Sequence, residues 1–215
     1  MAPTAADYEW INDYSELSEA YCATLVRGVT VPEFLKGMRA RPRGEASGYP
    51  ELERQTREVY EEHNSNAYLI GATLVPGDQG DWVLGLECNG FLGTLSHLVN
   101  PLSRGTRLVS HFCNVNAHDQ FLWCEDGTLR TFFEPLFPTA RDGSTPDELV
   151  EAMKEAGFDL EEDEETEPDF SMTTEAAFAL AERLTGVHLT PELLDKATFT
   201  TGLVPSSATK DDANG

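Results

Sequence analysis

The sequence predicts an α+β fold: a mainly antiparallel sheet of five or six strands with flanking helices packed on one face. Three observations predict it. Nearly all the period-2 apolar alternation falls in one block, Ala67 to Pro135. Turn signals punctuate that block, the strongest being Asp126-Gly127. Helix-capping patterns and apolar residues at helical spacing lie before and after it. A chain of 215 residues suits one domain with a sizeable core. That domain is set at residues 1–204, with an acidic loop at 159–169, and residues 205–215 are expected to form a disordered tail.

Residues 1–6 read as an unstructured leader, and Asp7 is placed to cap a short helix in which Tyr8, Ile11 and Tyr14 share a face. Tyr21 to Val26 has a strand-like composition. Thr30-Val31-Pro32-Glu33 is a capping box with proline in the first turn, and Phe34, Leu35 and Met38 follow at helical spacing. Pro42, Gly44, Ser47, Gly48 and Pro50 break any pattern between Arg39 and Glu53, which reads as a surface loop. Arg39, Arg41, Arg43, Arg54 and Arg57 gather near it, where they would compensate nearby carboxylates.

Inside the block, Tyr68, Ile70, Ala72 and Leu74 alternate with their neighbours until Pro76-Gly77-Asp78 stops the strand. Trp82, Leu84, Leu86 and Cys88 then alternate with Val83, Gly85 and Glu87, which predicts an antiparallel hairpin. If the Glu87 face is covered, that carboxylate needs a partner such as an arginine. Phe91 to Leu102 is expected as a helical turn closing at Pro101, and Arg107 to Cys113 resumes the strand pattern. Phe121 to Glu125 and Leu129 to Phe133 flank Asp126-Gly127. A two-residue loop there sets Cys124 opposite Leu129 and Trp123 opposite Arg130, a cation–π pair worth about 0.5–1 kcal/mol if exposed.

The sheet is expected to end at Pro135 and Pro138. Thr145-Pro146-Asp147-Glu148 predicts a helix from Pro146 to Ala156, closed by Gly157. From Asp159 to Asp169 eight acidic residues follow with no basic one, a solvated linker or a docking surface for a basic partner. Helices are expected over Thr174 to Leu184 and from Thr190, and Phe199 to Val204 is expected as a strand or packing segment.

Composition narrows the partners. With 38 acidic against 15 basic residues the formal charge is −23, which repels phosphate backbones and anionic lipid and disfavours nucleic-acid and membrane binding. Such a surface attracts a basic protein or a cation. Cys22, Cys88, Cys113 and Cys124 occur without a secretory pattern, so reduced thiols and a cytoplasmic location are expected. No apolar run approaches the ~20 residues that span a bilayer.

Chemistry concentrates between Ser110 and Asp119. His111 and Cys113 are two apart on a predicted strand and share a face, and His118 or Asp119 returns across a short loop. His111, Cys113 and His118 are therefore candidate ligands for zinc or iron, and Cys113, His118 and Asp119 are candidates for nucleophilic catalysis. Turn chemistry explains the segment with fewer assumptions: Asn114, Asn116 and Asp119 tolerate left-handed backbone or cap amides, and His118 faces solvent. Ser110 and His111 point to opposite faces, and nothing brings Glu87 and Glu134 together for acid–base work. His111, Asn114, Asn116, His118, Asp119, Glu87, Trp123 and Arg130 form the broader candidate binding set.

Tyr8-x-Trp10-Ile11, Tyr21-Cys22-x-Thr24-Leu25, Trp82-Val83-Leu84-Gly85-Leu86-Glu87-x-Asn89-Gly90, Ser110-His111-Phe112-x-Asn114-Val115-Asn116-Ala117 and Phe121-x-Trp123 together resemble an uncharacterised family of actinobacterial proteins. The resemblance covers Tyr8 to Leu160, implies a soluble bacterial protein and transfers no catalytic residue. The expectation is a cytosolic acidic protein-binding module without a cofactor, such as a toxin-neutralising immunity protein or a regulator. The alternative is a metal-dependent or Cys/His hydrolase centred on residues 110–119. A small-molecule sensor using the sheet face near Trp82 and Trp123 is a third reading.

Overall fold

Nine strands join in one antiparallel sheet in the computed structural model, which describes residues 2–116, 118–160 and 171–210. In chain order the elements are a 3-10 helix Ala5–Asp13, α1 (Ser15–Glu19), β1 (Tyr21–Arg27), α2 (Val31–Gly37), β2 (Arg41–Ser47), α3 (Tyr49–Glu62), β3 (Ala67–Gly77), β4 (Gly80–Cys88), α4 (Ser96–Leu102), β5 (Arg107–Cys113), β6 (Gln120–Glu125), β7 (Thr128–Glu134), β8 (Phe137–Asp142), α5 (Val150–Ala156), α6 (Thr173–Thr185), α7 (Pro191–Lys196) and β9 (Thr198–Pro205). The strand order is β2-β9-β3-β4-β1-β5-β6-β7-β8. The α+β class and the antiparallel sheet are as expected, but the strands exceed the five or six expected.

Helices cover both faces, not one. Trp82, Leu84 and Leu86 face a core completed by Tyr8, Ile11, Met153 and Phe178. Val83 faces a second core completed by Phe34, Leu35, Met38, Leu98 and Val99. The reason lies in β1, the central strand, whose residues Tyr21 to Val26 are all buried. A strand apolar at both alternations leaves two faces that must be removed from water. Gly85 lets α2 come close: a Cβ there would overlap the Phe34 ring.

The stretch expected as a surface loop from Arg39 to Glu53 instead holds β2 and the start of α3. β2 is an edge strand paired only with β9, and its register shifts between Pro42 and Gly44. An edge needs little apolar alternation and tolerates proline at an irregularity. Pro50 lies in the first turn of α3 and opens the helix, because no intrahelical N–H is lost there. Three of the five arginines compensate carboxylates as expected: Arg43–Glu62 at 2.9 Å, Arg54–Glu51 at 2.6 Å and Arg57–Glu53 at 2.7 Å.

Three further boundaries move. β8 carries the sheet past Pro135, with Pro138 on the outer edge. α5 begins at Val150, four residues after Pro146. Thr145 is held elsewhere: its N–H donates to the Arg130 carbonyl at 2.9 Å, and its hydroxyl accepts from Arg130 Nε at 3.2 Å. In the β6–β7 hairpin Glu125 opposes Thr128, and Cys124 opposes Leu129 as expected, but a bulge puts Thr131, not Arg130, opposite Trp123. The acidic run is outside the described residues from 161 to 169, as is the tail from 211; Ser206–Thr209 forms a 3-10 turn. Among the described residues no helix is long and apolar enough to cross a membrane.

Candidate functional site

Strand register assembles the candidates. Tyr21 on β1 lies between Cys88 on β4 and Cys113 on β5, and one step along His111 opposes Phe121. His111 and Cys113 share a face, as the period-2 spacing requires. The His111 imidazole is buried, with its Nδ1 3.0 Å from the Tyr21 hydroxyl. Burial pushes the Tyr21 hydroxyl well up, so it stays neutral, and which of the two atoms donates follows from the imidazole tautomer. The other ring nitrogen, Nε2, has no hydrogen-bond partner. Phe178 meets the ring edge-to-face with centroids 4.3 Å apart, and Phe121 stacks on it at 6.1 Å. Desolvation lowers the imidazole to about 3, so it is neutral and dry.

The loop beyond β5 has the expected turn chemistry. Asn114 Oδ1 accepts from the Asn116 N–H at 2.9 Å and the His118 N–H at 3.2 Å. His118 is exposed, its Nε2 3.1 Å from Gln120 Nε2, and its ring meets Phe112. Phe112 alternates to the face opposite His111 and Cys113, so His118 does not join them. Among the described residues no group of three His, Cys, Asp or Glu converges on a metal position. Cys113 and Asp119 do meet. Burial and the Asp119 carboxyl push the thiol up to about 12, and burial raises Asp119, whose Oδ1 is buried without a partner. A nucleophilic cysteine needs the opposite shift.

Glu87 is placed apart, on the second face beside Cys22. No arginine meets it. The turn after β4 does: Glu87 Oε2 accepts the Leu92 N–H at 3.2 Å, and desolvation raises the carboxyl to about 8. Thr24 and Ser110 hydroxyls lie 3.0 Å apart nearby, and a methyl on Gly93 would overlap both. Glu134 is on β7, with β1, β5 and β6 between it and Glu87's strand, roughly 19 Å at about 4.8 Å per strand. These two carboxylates form no catalytic pair.

The Trp123–Arg130 contact survives the bulge because the guanidinium reaches back over the ring at 5.4 Å. Arg107 on β5, which pattern reasoning passed over, approaches the same ring at 5.2 Å. Glu125 at 3.2 Å and Glu148 at 2.7 Å pair the two arginines.

Sequence reasoning also missed a polar pocket of about 140 Å³ at the start of α6, lined by Asn12, Ser18, Ser171, Thr173, Thr174 and Glu175. Glu175 is only 5% exposed, and its Oε1 accepts from Asn12 Nδ2 at 2.8 Å. One turn further along α6, Phe178 closes over His111, so one helix roofs the aromatic cage and opens the pocket. Ser, Thr and Glu at a helix start read as capping residues, and no sequence signal links Asn12 to them.

A family model described as a family of unknown function (DUF6461) matches residues 1–209. No curated protein and no solved structure matches the chain.

Proposed function

The chain belongs to this family of unknown function (DUF6461), and from that premise we propose that it is a cytoplasmic, acidic protein-binding module that acts without catalysis. An immunity protein against a basic toxin and a regulator of a basic protein are the two forms of this reading. Uncompensated charge carries it. Nine cations, Arg43, Arg54, Arg57, Arg107, Arg130, Arg141, Lys154, Arg183 and Lys196, already pair with carboxylates of the same chain. With those cations already paired, most of the 38 acidic residues have no basic counterpart among the 15 basic residues of the same chain. Such a field steers a basic partner and repels nucleic acid.

The hydrolase reading has less support. Its thiol is held protonated, its buried histidine is caged by aromatic rings, and its exposed histidine is on the other face. The test is capture from a native bacterial lysate on the full chain. Basic proteins retained at low salt and released as ionic strength rises are the expected result. A lysate that yields no partner at either low or moderate salt overturns the reading.

A further inference from the structure

We propose that residues 89–95, the strap between β4 and α4, form a pH-sensitive cover that stays closed over Glu87 while its carboxyl is protonated and lifts as the proton leaves, admitting water to Glu87 and Cys22. The device is independent of partner binding. Cys22 and Thr24 on β1, Glu87 on β4 and Ser110 on β5 make one polar cluster on the second face, each 1% exposed or less. Strand register assembles it, since Cys22 opposes Glu87 and Thr24 opposes Ser110. The strap lies flat on the cluster because of two glycines: a Cβ on Gly90 would overlap Glu87, and one on Gly93 would overlap Cys22, Thr24 and Ser110. Asn89 reverses the chain at a φ of 57°. Within the strap the bonds are local, with Thr94 Oγ1 donating to the Phe91 carbonyl at 2.8 Å and the Leu95 N–H to the Leu92 carbonyl at 3.2 Å. Such a turn lifts as a unit without breaking the sheet ladder. On its inner side Glu87 Oε2 accepts the Leu92 N–H at 3.2 Å, while Oε1 is buried with no hydrogen-bond partner.

Among the described residues no cation offsets a carboxylate there. On β1 the titratable neighbour is Cys22, whose thiol burial holds protonated. On β5 it is none, because His111 takes the other face, as Cys88 does on β4. The Tyr68 ring on β3 meets Phe91 of the strap at 5.1 Å. On α4, His97 Nε2 is 3.2 Å from the Ala208 carbonyl. Glu33 and Lys36 on α2, and Lys210 beyond β9, are exposed. The strap itself carries no titratable side chain. An ionised Glu87 therefore keeps one oxygen buried without donor or counter-charge, and water reaches it only when the strap is off. Burial outweighs the amide donors of Phe91, Leu92 and Gly93 and raises the closed-state carboxyl from 4.5 to about 8. With the strap off, the carboxyl is solvated and ordinary. Opening thus releases one proton, so it grows about tenfold per pH unit between about 4.5 and 8 and levels off above that.

The experiment measures amide hydrogen exchange of Leu92 and Gly93 in the full chain and in Glu87→Gln at matched pH, so that the intrinsic chemistry of exchange cancels. The wild-type to variant ratio of exchange rates is expected to climb about tenfold per pH unit from pH 5 to 8 and to flatten above. The strap amides are also expected to exchange faster than those of β1, because the opening is local. A ratio that does not change with pH, or strap amides that exchange only as fast as β1, overturns the proposal. If Glu87→Gln does not fold, pulsed iodoacetamide labelling of the wild type decides, with Cys88 on the opposite face as the internal reference. Labelling of Cys22 relative to Cys88 is expected to rise severalfold from pH 6 to 8. A constant ratio overturns the cover.

Discussion

At the residue scale, Glu87 and His111 respond to pH in opposite directions. Burial raises Glu87 from 4.5 to about 8, so the folded protein holds a proton that the unfolded chain releases. Its contribution is complete below about pH 4.5 and is lost as pH rises towards 8. His111 falls from 6.5 to about 3, so its contribution is complete above 6.5 and is lost as pH falls towards 3. Each is worth on the order of a few kcal/mol. Glu87→Gln is expected to unfold at higher urea than wild type on the alkaline side of neutrality, with the difference vanishing in mild acid. A variant whose midpoint tracks wild type at both ends contradicts this. Tyr21→Phe removes the hydroxyl bonded to His111 Nδ1 and should cost about 1–3 kcal/mol in the same measurement, because a dry ring nitrogen is left unpaired.

At the element scale, close approach decides which glycines matter. Gly93 is seated on Cys22, Thr24 and Ser110, so the turn after β4 lies flat on the sheet only without a side chain there. Gly93→Ala is expected to destabilise by about 1–3 kcal/mol, since the turn must lift from Glu87 as well. Gly44 on the β2 edge has nothing within 4 Å of a built Cβ. Gly44→Ala should be neutral or slightly stabilising, and paired thermal melts of the two variants check both statements. Thr30 caps α2 by accepting the Glu33 N–H at 3.3 Å, while Glu33 accepts the Thr30 N–H at 2.8 Å. Thr30→Ala should cost about 0.5–2 kcal/mol in urea unfolding.

At the scale of the whole molecule, a charge of −23 opposes compaction. Moderate salt screens that repulsion over the surface while removing little from ion pairs that are individually weak. The thermal midpoint is therefore expected to rise with added sodium chloride, as read by calorimetry. A midpoint that falls would mean that the ion pairs, not the excess carboxylates, dominate the electrostatics.

Local chemistry was legible wherever one stretch of chain decides the outcome. The Thr30 capping box, the Asp126-Gly127 turn, the helix over Thr174 to Leu184 and the shared face of His111 and Cys113 all follow from spacing and residue type. β2 was not legible, since an edge strand takes its pairing from β9, more than 150 residues away, and not from its own alternation. The start of α5 was misread because Thr145 bonds to β7 instead of capping a helix. Glu87 drew its donors from a turn, not from the arginine that charge reasoning supplied. By itself the sequence determined the α+β class, the antiparallel sheet and the acidic field, all properties of composition and period. Only tertiary structure decided that both faces are covered, that His111 is caged, and that Asn12 and Glu175 share a pocket, because those depend on which distant segments desolvate one another.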